Sequence, residues 1–250
     1  ASVAENQTAA YTAAAADDEG TVLTYSLSGT DAALFSIDAG TGVVTFNAAP
    51  DYENPGDAGG DNVYDIVVSA SDGVNTTDQA VAITVTDEND NAPVFTSASS
   101  FSVAEDQTSA FTAVATDADA NDTITYSLSG ADAAAFKIDA ATGVVTFVTA
   151  PDYETPGDQS FDLIVTASDG VNSTDQAVTV SVTDVNEAPV FTSGSTASVA
   201  ENQTAAYTAA ASDPDLTSPT YSISGGADAA LFNIDATTGV VTFKTAPDFE

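Results

Sequence analysis

Apolar side chains alternate with small or polar ones in short runs along the whole chain. In the first hundred residues these runs are Tyr25/Leu27, Phe35/Ile37, Val44/Phe46, Tyr64/Ile66/Val68 and Val81/Ile83/Val85. A period of two places successive side chains on opposite faces of a strand, with one face buried and the other wetted. Glycine, asparagine and aspartate cluster between the runs, where turns are needed. The pattern predicts an all-β protein of antiparallel two-sheet sandwiches.

Two alanine runs interrupt the alternation. Ala13–Ala16 and Ala133–Ala135 are too short for stable helices and are flanked closely by strand signals. We predict a strand for the first run and a loop or single turn for the second.

The whole pattern recurs three times. The landmarks SVAE, YSLSG or YSISG, TGVVTF and PDYE or PDFE return in the same order, and the copies open at Ser2, Ser102 and Ser198. A spacing of 100 and then 96 residues is too long for a solenoid unit and typical of a small β domain. About seven strands per copy fit an immunoglobulin-like Greek-key sandwich of ~100 residues. We predict a linear array with repeats at residues 1–90, 91–187 and 188–250.

Two of the copies are incomplete. The first lacks the APVFTS lead-in found at Ala92 and Ala188, and the third lacks counterparts of 161–167 and 178–182. Missing strands would expose core and an unpaired sheet edge, which a stable monomer avoids. We interpret the sequence, which contains no methionine, as a processed chain or a window on a longer repeat array. Completion of the third sandwich by another chain is the alternative.

The charge of the chain narrows its partners. Lys137 and Lys244 are the only basic residues against 38 acidic ones, which gives a formal net charge of −36. A small soluble domain carries a net charge of about 2–8, so this chain repels itself unless cations neutralise it. Nucleic acid and anionic membranes require lysine and arginine and are excluded as partners. The absence of histidine and cysteine removes the usual zinc ligands, disulfides and the commonest general base.

The acidic residues recur at loop positions and do not scatter over strand faces, as simple salt adaptation would require. Each copy carries a glutamate in SVAE, a pair in PD-aromatic-E and a pair ahead of its YSLSG or YSISG run; the first two copies add an aspartate in ASDG. The junctions read DENDNAPVF (87–95) and DVNEAPVF (184–191). Carboxylates and asparagine carbonyls suit a hard cation, and calcium, with six to eight oxygen ligands, is the best match.

An enzyme is a poor interpretation of the same residues. The pair Asp51/Glu53 has the composition of a glycosidase carboxylate pair. It recurs in every copy, however, in a chain without histidine, tryptophan or arginine to build a sugar subsite. The sequence therefore predicts no catalytic site.

The junction sequence DENDNAPVF resembles the D-x-N-D-N-x-P-x-F linker of cadherin repeats. The early x-E-x, D-x-D, D-x-E and A-x-D-G motifs of that family follow in order, and the resemblance covers the whole chain. The alanine-, threonine- and aspartate-rich composition and the second linker resemble bacterial cadherin-like repeats. Vertebrate-style strand exchange is not expected, because that mechanism uses an N-terminal tryptophan and this chain has none.

The resemblance implies up to three calcium ions at each junction, with ligands from both neighbouring repeats. At the first junction it implies two ions held by Glu5, Asp51, Glu53, Asp87, Asp90 and Asp119. The third would be held by Asn89, Asp117, Asp119 and Asp169 with the Asn91 carbonyl. At the second junction it implies Glu105, Asp152, Glu154, Asp184, Asn186, Glu187, Asp213 and Asp215. Glu187 replaces the second linker aspartate, and the second linker asparagine is absent. The set of ligands that the family pattern implies for the third ion is therefore incomplete at this junction.

These expectations combine into one function. The chain is expected to be a calcium-rigidified segment of an extracellular or cell-surface microbial adhesin, stalk or filament, with a mechanical role in adhesion, sheath or matrix. Further copies of the repeat are the expected partners, with cell-surface glycans as a second class, and no membrane insertion is expected. The alternatives are a homophilic or polysaccharide-binding module and a non-catalytic spacer of a larger secreted enzyme.

Overall fold

The computed structural model describes residues 1–120, 122–157 and 159–250. The first repeat forms seven strands, β1 (Ser2–Ala4), β2 (Ala9–Thr12), β3 (Thr24–Ser28), β4 (Phe35–Ile37), β5 (Val43–Phe46), β6 (Val63–Ser71) and β7 (Thr76–Thr86). They form two sheets, ordered β1-β7-β6-β3 and β2-β5-β4. The apolar side chains of the alternating runs face the core between the sheets. There, Val44, Ile66, Ile83 and Val85 are at most 1% exposed.

The second repeat has the same two sheets with two short strands added. Its strands are β8 (Val94–Phe95), β9 (Ser100–Ala104), β10 (Ser109–Thr112), β11 (Ala115–Thr116), β12 (Thr125–Ser129), β13 (Phe136–Ile138), β14 (Val144–Phe147), β15 (Ser160–Ser168) and β16 (Ser173–Thr183). The sheets are β12-β15-β16-β9 and β10-β14-β13, and β11 pairs with β8. The all-β sandwich prediction is confirmed.

The pairing of β1 with β7, and of β9 with β16, is parallel. The carboxyl ends of a parallel pair lie at the same edge of a sheet. Glu5, which follows β1, is therefore placed beside Asp87, which follows β7. Glu105 and Asp184 are brought together in the same way after β9 and β16.

The third repeat keeps only part of the sandwich. It contains β17 (Val190–Phe191), β18 (Ala205–Thr208), β19 (Ala211–Ser212), β20 (Phe232–Ile234) and β21 (Val240–Phe243), ordered β18-β21-β20 and β17-β19. The YSISG run at Tyr221, a strand in the other copies, is not a strand here. Its partner in the other copies is β6 or β15, and this stretch of chain has no counterpart of them. The uncovered core leaves Phe191 70% exposed.

The prediction of a strand at Ala13–Ala16 is wrong. The matching position in the second repeat is strand β11, which exists because β8 lies beside it, and the first copy has no counterpart of β8. The bond from the Ala13 backbone N–H to the Gly42 carbonyl, at 2.9 Å, is present in both repeats, since Ala113 makes it with Gly143 at 2.9 Å. The prediction for Ala133–Ala135 is confirmed, since that run forms one turn of 3₁₀-helix.

The sheets leave residues 87–93 and 184–189 as connections between repeats. The predicted repeat boundaries at 90/91 and 187/188 fall within these connections and stay predictions. Across the described residues, no helix combines the length and the apolar character needed to cross a membrane.

Candidate metal centres at the two junctions

A buried glutamate organises the first junction. Glu5 is 2% exposed, and its Oε2 accepts the backbone N–H of Tyr52 at 2.7 Å while Oε1 accepts that of Glu88 at 2.9 Å. One side chain therefore ties the PDYE loop to the linker. Glu105 repeats this arrangement with Tyr153 at 2.5 Å and Val185 at 2.7 Å.

The linker is hydrogen-bonded to the second repeat by its own polar groups. Asp87 Oδ2 accepts the backbone N–H of Ala120 at 2.8 Å. Asn91 donates from its backbone to Asp119 Oδ2 at 2.9 Å and from its side chain to Asp119 Oδ1 at 2.7 Å. Asp119 is only 5% exposed, so the loop after β11 holds its carboxylate at the centre of the joint.

Three carboxylate clusters lie at this joint, and they share members. They are Glu5–Asp51–Glu53, Glu53–Asp87–Asp119 and Asp117–Asp119–Asp122–Asp169, and within each cluster one oxygen per residue lies within 4.8 Å of the others. Glu53 belongs to the first two clusters and Asp119 to the last two. The shared residues arrange the clusters in sequence from the first repeat to the second.

The linker asparagines lie next to the third cluster. Asn172 donates its side-chain N–H groups to Asn89 Oδ1 at 3.0 Å and to the Asn91 carbonyl at 2.9 Å. Asn172 lies three residues beyond Asp169, whose Oδ1 accepts the Asn172 backbone N–H at 2.6 Å. The neutral oxygens expected for the third ion are therefore held close to its carboxylates.

The second junction brings fewer groups together. Its clusters are Glu105–Glu154–Glu187 and Glu154–Asp184–Asp215, with Glu154 shared. Glu187 donates its backbone N–H to Asp215 Oδ2 at 2.8 Å, which parallels the contact of Asn91 with Asp119. No third cluster forms there among the residues that the structure describes.

Several expected ligands lie outside the clusters. Asp90 accepts hydrogen bonds from the side chains of Asn6 and Asn91. At the second junction, Asp152 accepts from Thr155 and Asp213 from Thr217, while Asn186 donates to the Glu187 carbonyl. The assignment of these four residues as ligands stays a prediction without support from the clusters.

Burial and mutual repulsion alter the titration of the clustered carboxylates. Burial, followed by repulsion from Glu5, Asp119 and Asp87, raises the pKa of Glu53. The same two causes raise the pKa of Glu187 to about 7, with Asp215 as the main repelling neighbour. The pKa of Asp169 is lowered despite burial, because it accepts the backbone N–H groups of Val171 and Asn172. The clusters hold more negative charge than their own hydrogen bonds stabilise.

Unpartnered oxygens show that a cation fits these clusters. Buried oxygens without a hydrogen-bond partner include Glu53 Oε1, Asp87 Oδ1, Asp117 Oδ2 and Asp169 Oδ2, and at the second junction Glu187 Oε2 and Asp215 Oδ1. A buried unpaired acceptor costs about 1–3 kcal/mol, and more when charged. Close, unpaired, all-oxygen ligands match the coordination that calcium requires.

Sequence reasoning missed two residues at the first junction. Asp122 joins the third cluster, and Asn172 bridges the linker to the second repeat. The spacing D-x-D-x-x-D at Asp117 was a usable signal for Asp122. Asn172 had no such signal, because its role depends on the folding of the β15–β16 turn against the linker.

The sequence of this chain is similar to those of cadherins and protocadherins. Residues 99–183 match the sequence model of the cadherin domain. The chain is 37% identical to rat Protocadherin-16 over 179 aligned residues, 66% of this chain, and 31% identical to mouse Protocadherin Fat 2 over 250, 93% of this chain. It spans only 5% and 6% of the lengths of these two relatives.

Solved structures agree with the sequence matches. Mouse Cadherin-23 EC22-24 superposes with a TM-score of 0.64 at 27% identity, covering 99% of this chain and 85% of that one. Human Protocadherin-24 EC1-2 superposes with a TM-score of 0.61 at 25% identity, covering 74% and 94%. The fold is that of tandem cadherin ectodomain repeats. The named relatives come from rat, mouse and human, so the comparisons give no support to the bacterial assignment.

Proposed function

We propose that this chain, a tandem array of cadherin-like repeats, is a calcium-stiffened segment of an extracellular adhesion, stalk or filament protein. The sharing of Glu53 and Asp119 among the three clusters of the first junction is the observation that carries the proposal. Cations bound there would have ligands on the first repeat, the linker and the second repeat at once. Bending the joint would then require breaking ligand contacts.

The negative charge of the first joint also supports the binding of divalent cations there. Its three clusters contain eight different carboxylates, and three divalent cations would leave a charge of about −2. Without cations, the clustered oxygens lie within 4.8 Å of one another, well inside the screening length of about 8 Å at physiological salt. Repulsion then pushes the two repeats and the linker apart. Calcium would supply the positive charge that turns this repulsion into attraction.

The chain's own groups prepare the joint for that role. Glu5 holds the PDYE loop against the linker, and Asp119 fixes the linker through Asn91. Pro93, which is fully buried, fixes a backbone dihedral directly after the linker and narrows the hinge further. The ligands are therefore partly positioned before a cation binds.

The proposed setting is extracellular. Extracellular calcium modules bind with dissociation constants of about 10⁻⁴–10⁻³ M, which suits a joint that stays stiff outside a cell. We propose further copies of the repeat as partners, since the carboxylate clusters of the first junction contain residues of two consecutive repeats. The microbial attribution rests on the alanine-, threonine- and aspartate-rich composition and on the second linker, DVNEAPVF.

Small-angle X-ray scattering during a calcium titration tests the function. Calcium is expected to narrow the range of interrepeat angles, to lengthen the maximum dimension and to raise Tm, and chelator should reverse all three. Magnesium at the same concentration is the control, because it keeps its waters and needs stricter geometry. If neither the scattering nor Tm responds to calcium, the acidic clusters serve solubility and the proposal fails.

A further inference from the structure

The third cluster of the first junction contains a carboxylate outside the motifs of the junction pattern. Resting on the proposed calcium function, we infer that Asp122 is a fourth carboxylate ligand of the cation that Asp117, Asp119 and Asp169 would hold. This inference concerns the side chain of Asp122, which lies beyond the D-x-D pair at 117–119.

The position of the carboxylate carries the inference. One oxygen from each of the four residues lies within 4.8 Å of the others. Asp122 Oδ2 is buried and has no hydrogen-bond partner among the described residues. A carboxylate oxygen withdrawn from water next to three other carboxylates is unfavourable unless a cation joins them.

Two aspartates of the matching loops in the first and third copies, Asp17 and Asp213, have ordinary structural roles. Asp17 Oδ1 accepts the backbone N–H of Glu19 at 2.7 Å, and Asp213 Oδ2 accepts the Thr217 hydroxyl at 2.7 Å. These are local bonds that stabilise a turn. Within the part of the chain that the structure describes, Asp122 Oδ2 has no such bond, so turn formation does not explain why this oxygen is withdrawn from solvent.

Asp122 is also particular to the second repeat. It lies five residues after Asp117, where the other copies have Val22 and Ser218. The cluster therefore has four carboxylates, whereas each of the other four clusters has three. Because calcium affinity rises with the number of charged ligands, we expect this site to fill first as calcium increases.

The order of filling has a structural consequence. The neutral oxygens of Asn89 and Asn91 lie beside this cluster, held by Asn172. The first cation would therefore fix the linker to the second repeat before the first repeat is engaged. The joint would close in two stages, with Asp122 setting the calcium level of the first stage.

The test is Asp122→Asn, with Asp18→Asn as the matched control, because Asp18 is an exposed loop aspartate outside every cluster. Calcium binding is measured by titration calorimetry and native mass spectrometry on the whole chain. The apparent dissociation constant of the tightest ion is expected to rise roughly tenfold in Asp122→Asn and to stay unchanged in Asp18→Asn. In chelator, the Tm of Asp122→Asn should equal or exceed that of the unmodified chain, because a repelling charge is removed.

The outcomes separate the two proposals. If the unmodified chain binds no calcium, the proposed function fails and this inference with it. If the unmodified chain binds calcium and Asp122→Asn binds it equally well, only the role of Asp122 is overturned. A drop in the Tm of Asp122→Asn that is equal with and without calcium would identify a structural residue and also overturn the inference.

Discussion

Replacing Asp119 with asparagine probes the sharing of ligands directly. The Asp119 carboxylate contributes to two clusters at the first junction, whereas Asp51 contributes to one. Asparagine preserves the shape of the side chain and keeps one oxygen, which can accept one of the two hydrogen bonds that Asn91 donates. Asp119→Asn should therefore weaken two ions and Asp51→Asn only one.

The size of the effect follows from linkage. An ion present at ten times its dissociation constant stabilises the folded state by about 1.4 kcal/mol. Loss of two such ions removes about 2.8 kcal/mol of calcium-dependent stability, and loss of one removes about 1.4 kcal/mol. Since 1 kcal/mol shifts Tm by roughly 4–8 °C in a domain of this size, Asp119→Asn should lose about 10–20 °C of the calcium-induced rise.

The assay is thermal unfolding of each variant in calcium and in chelator, and the quantity compared is the difference between the two Tm values. Subtracting the chelator value removes effects on hydrogen bonds that do not involve the cation. Asp18→Asn provides the baseline. Equal losses in Asp119→Asn and Asp51→Asn would refute the sharing of ligands, and an equal loss in Asp18→Asn would refute specific sites altogether.

Three further predictions concern pH and the fold. In chelator, the stability gained from Glu187 is fully present below its ordinary pKa of 4.5 and is lost as the pH rises through about 7, because the folded state binds the extra proton. Urea unfolding from pH 5 to 8 should show this slope, and Glu187→Gln should flatten it. Ile83→Ala should cost about 2–5 kcal/mol equally with and without calcium, since Ile83 is fully buried in the core; a calcium-dependent loss would contradict this. Gly42→Ala should destabilise the fold more than Gly20→Ala. Both glycines have φ near +70°, but only at Gly42 would an added Cβ meet the Ala13 carbonyl oxygen, at 2.6 Å. Equal urea midpoints for the two variants would contradict this prediction.

The β-sandwich could be predicted from the sequence because the alternation of apolar and polar residues is strong and recurs in each copy. Where a partner strand is missing, the same signal fails. Tyr221 and Ile223 alternate as Tyr126 and Leu128 do, but only the latter pair lies in a strand, since β12 is paired with β15. Strand formation depends on a neighbour as much as on local pattern.

The candidate site was predictable to the extent that it lies next to strand ends. The parallel pairing of β1 with β7 fixes Glu5 beside the linker, and the motifs mark both elements. Asp122 and Asn172 could not be placed so easily, because their positions depend on how two loops fold over the linker. The position of Asp90 outside the clusters also depends on how the loops fold, because its carboxylate accepts hydrogen bonds from the side chains of Asn6 and Asn91.

The differences between the two joints suggest that stiffness varies along the array. Among the residues that the structure describes, the first joint has three clusters, one of them with four carboxylates, and the second joint has two clusters. The second joint also contains Glu187, whose pKa is raised to about 7. A protonated Glu187 must lose its proton before it ligates a cation, so calcium binding at the second joint competes with protons near neutral pH. We therefore expect the second joint to loosen first when calcium or pH falls, so that bending under load begins between the second and third repeats.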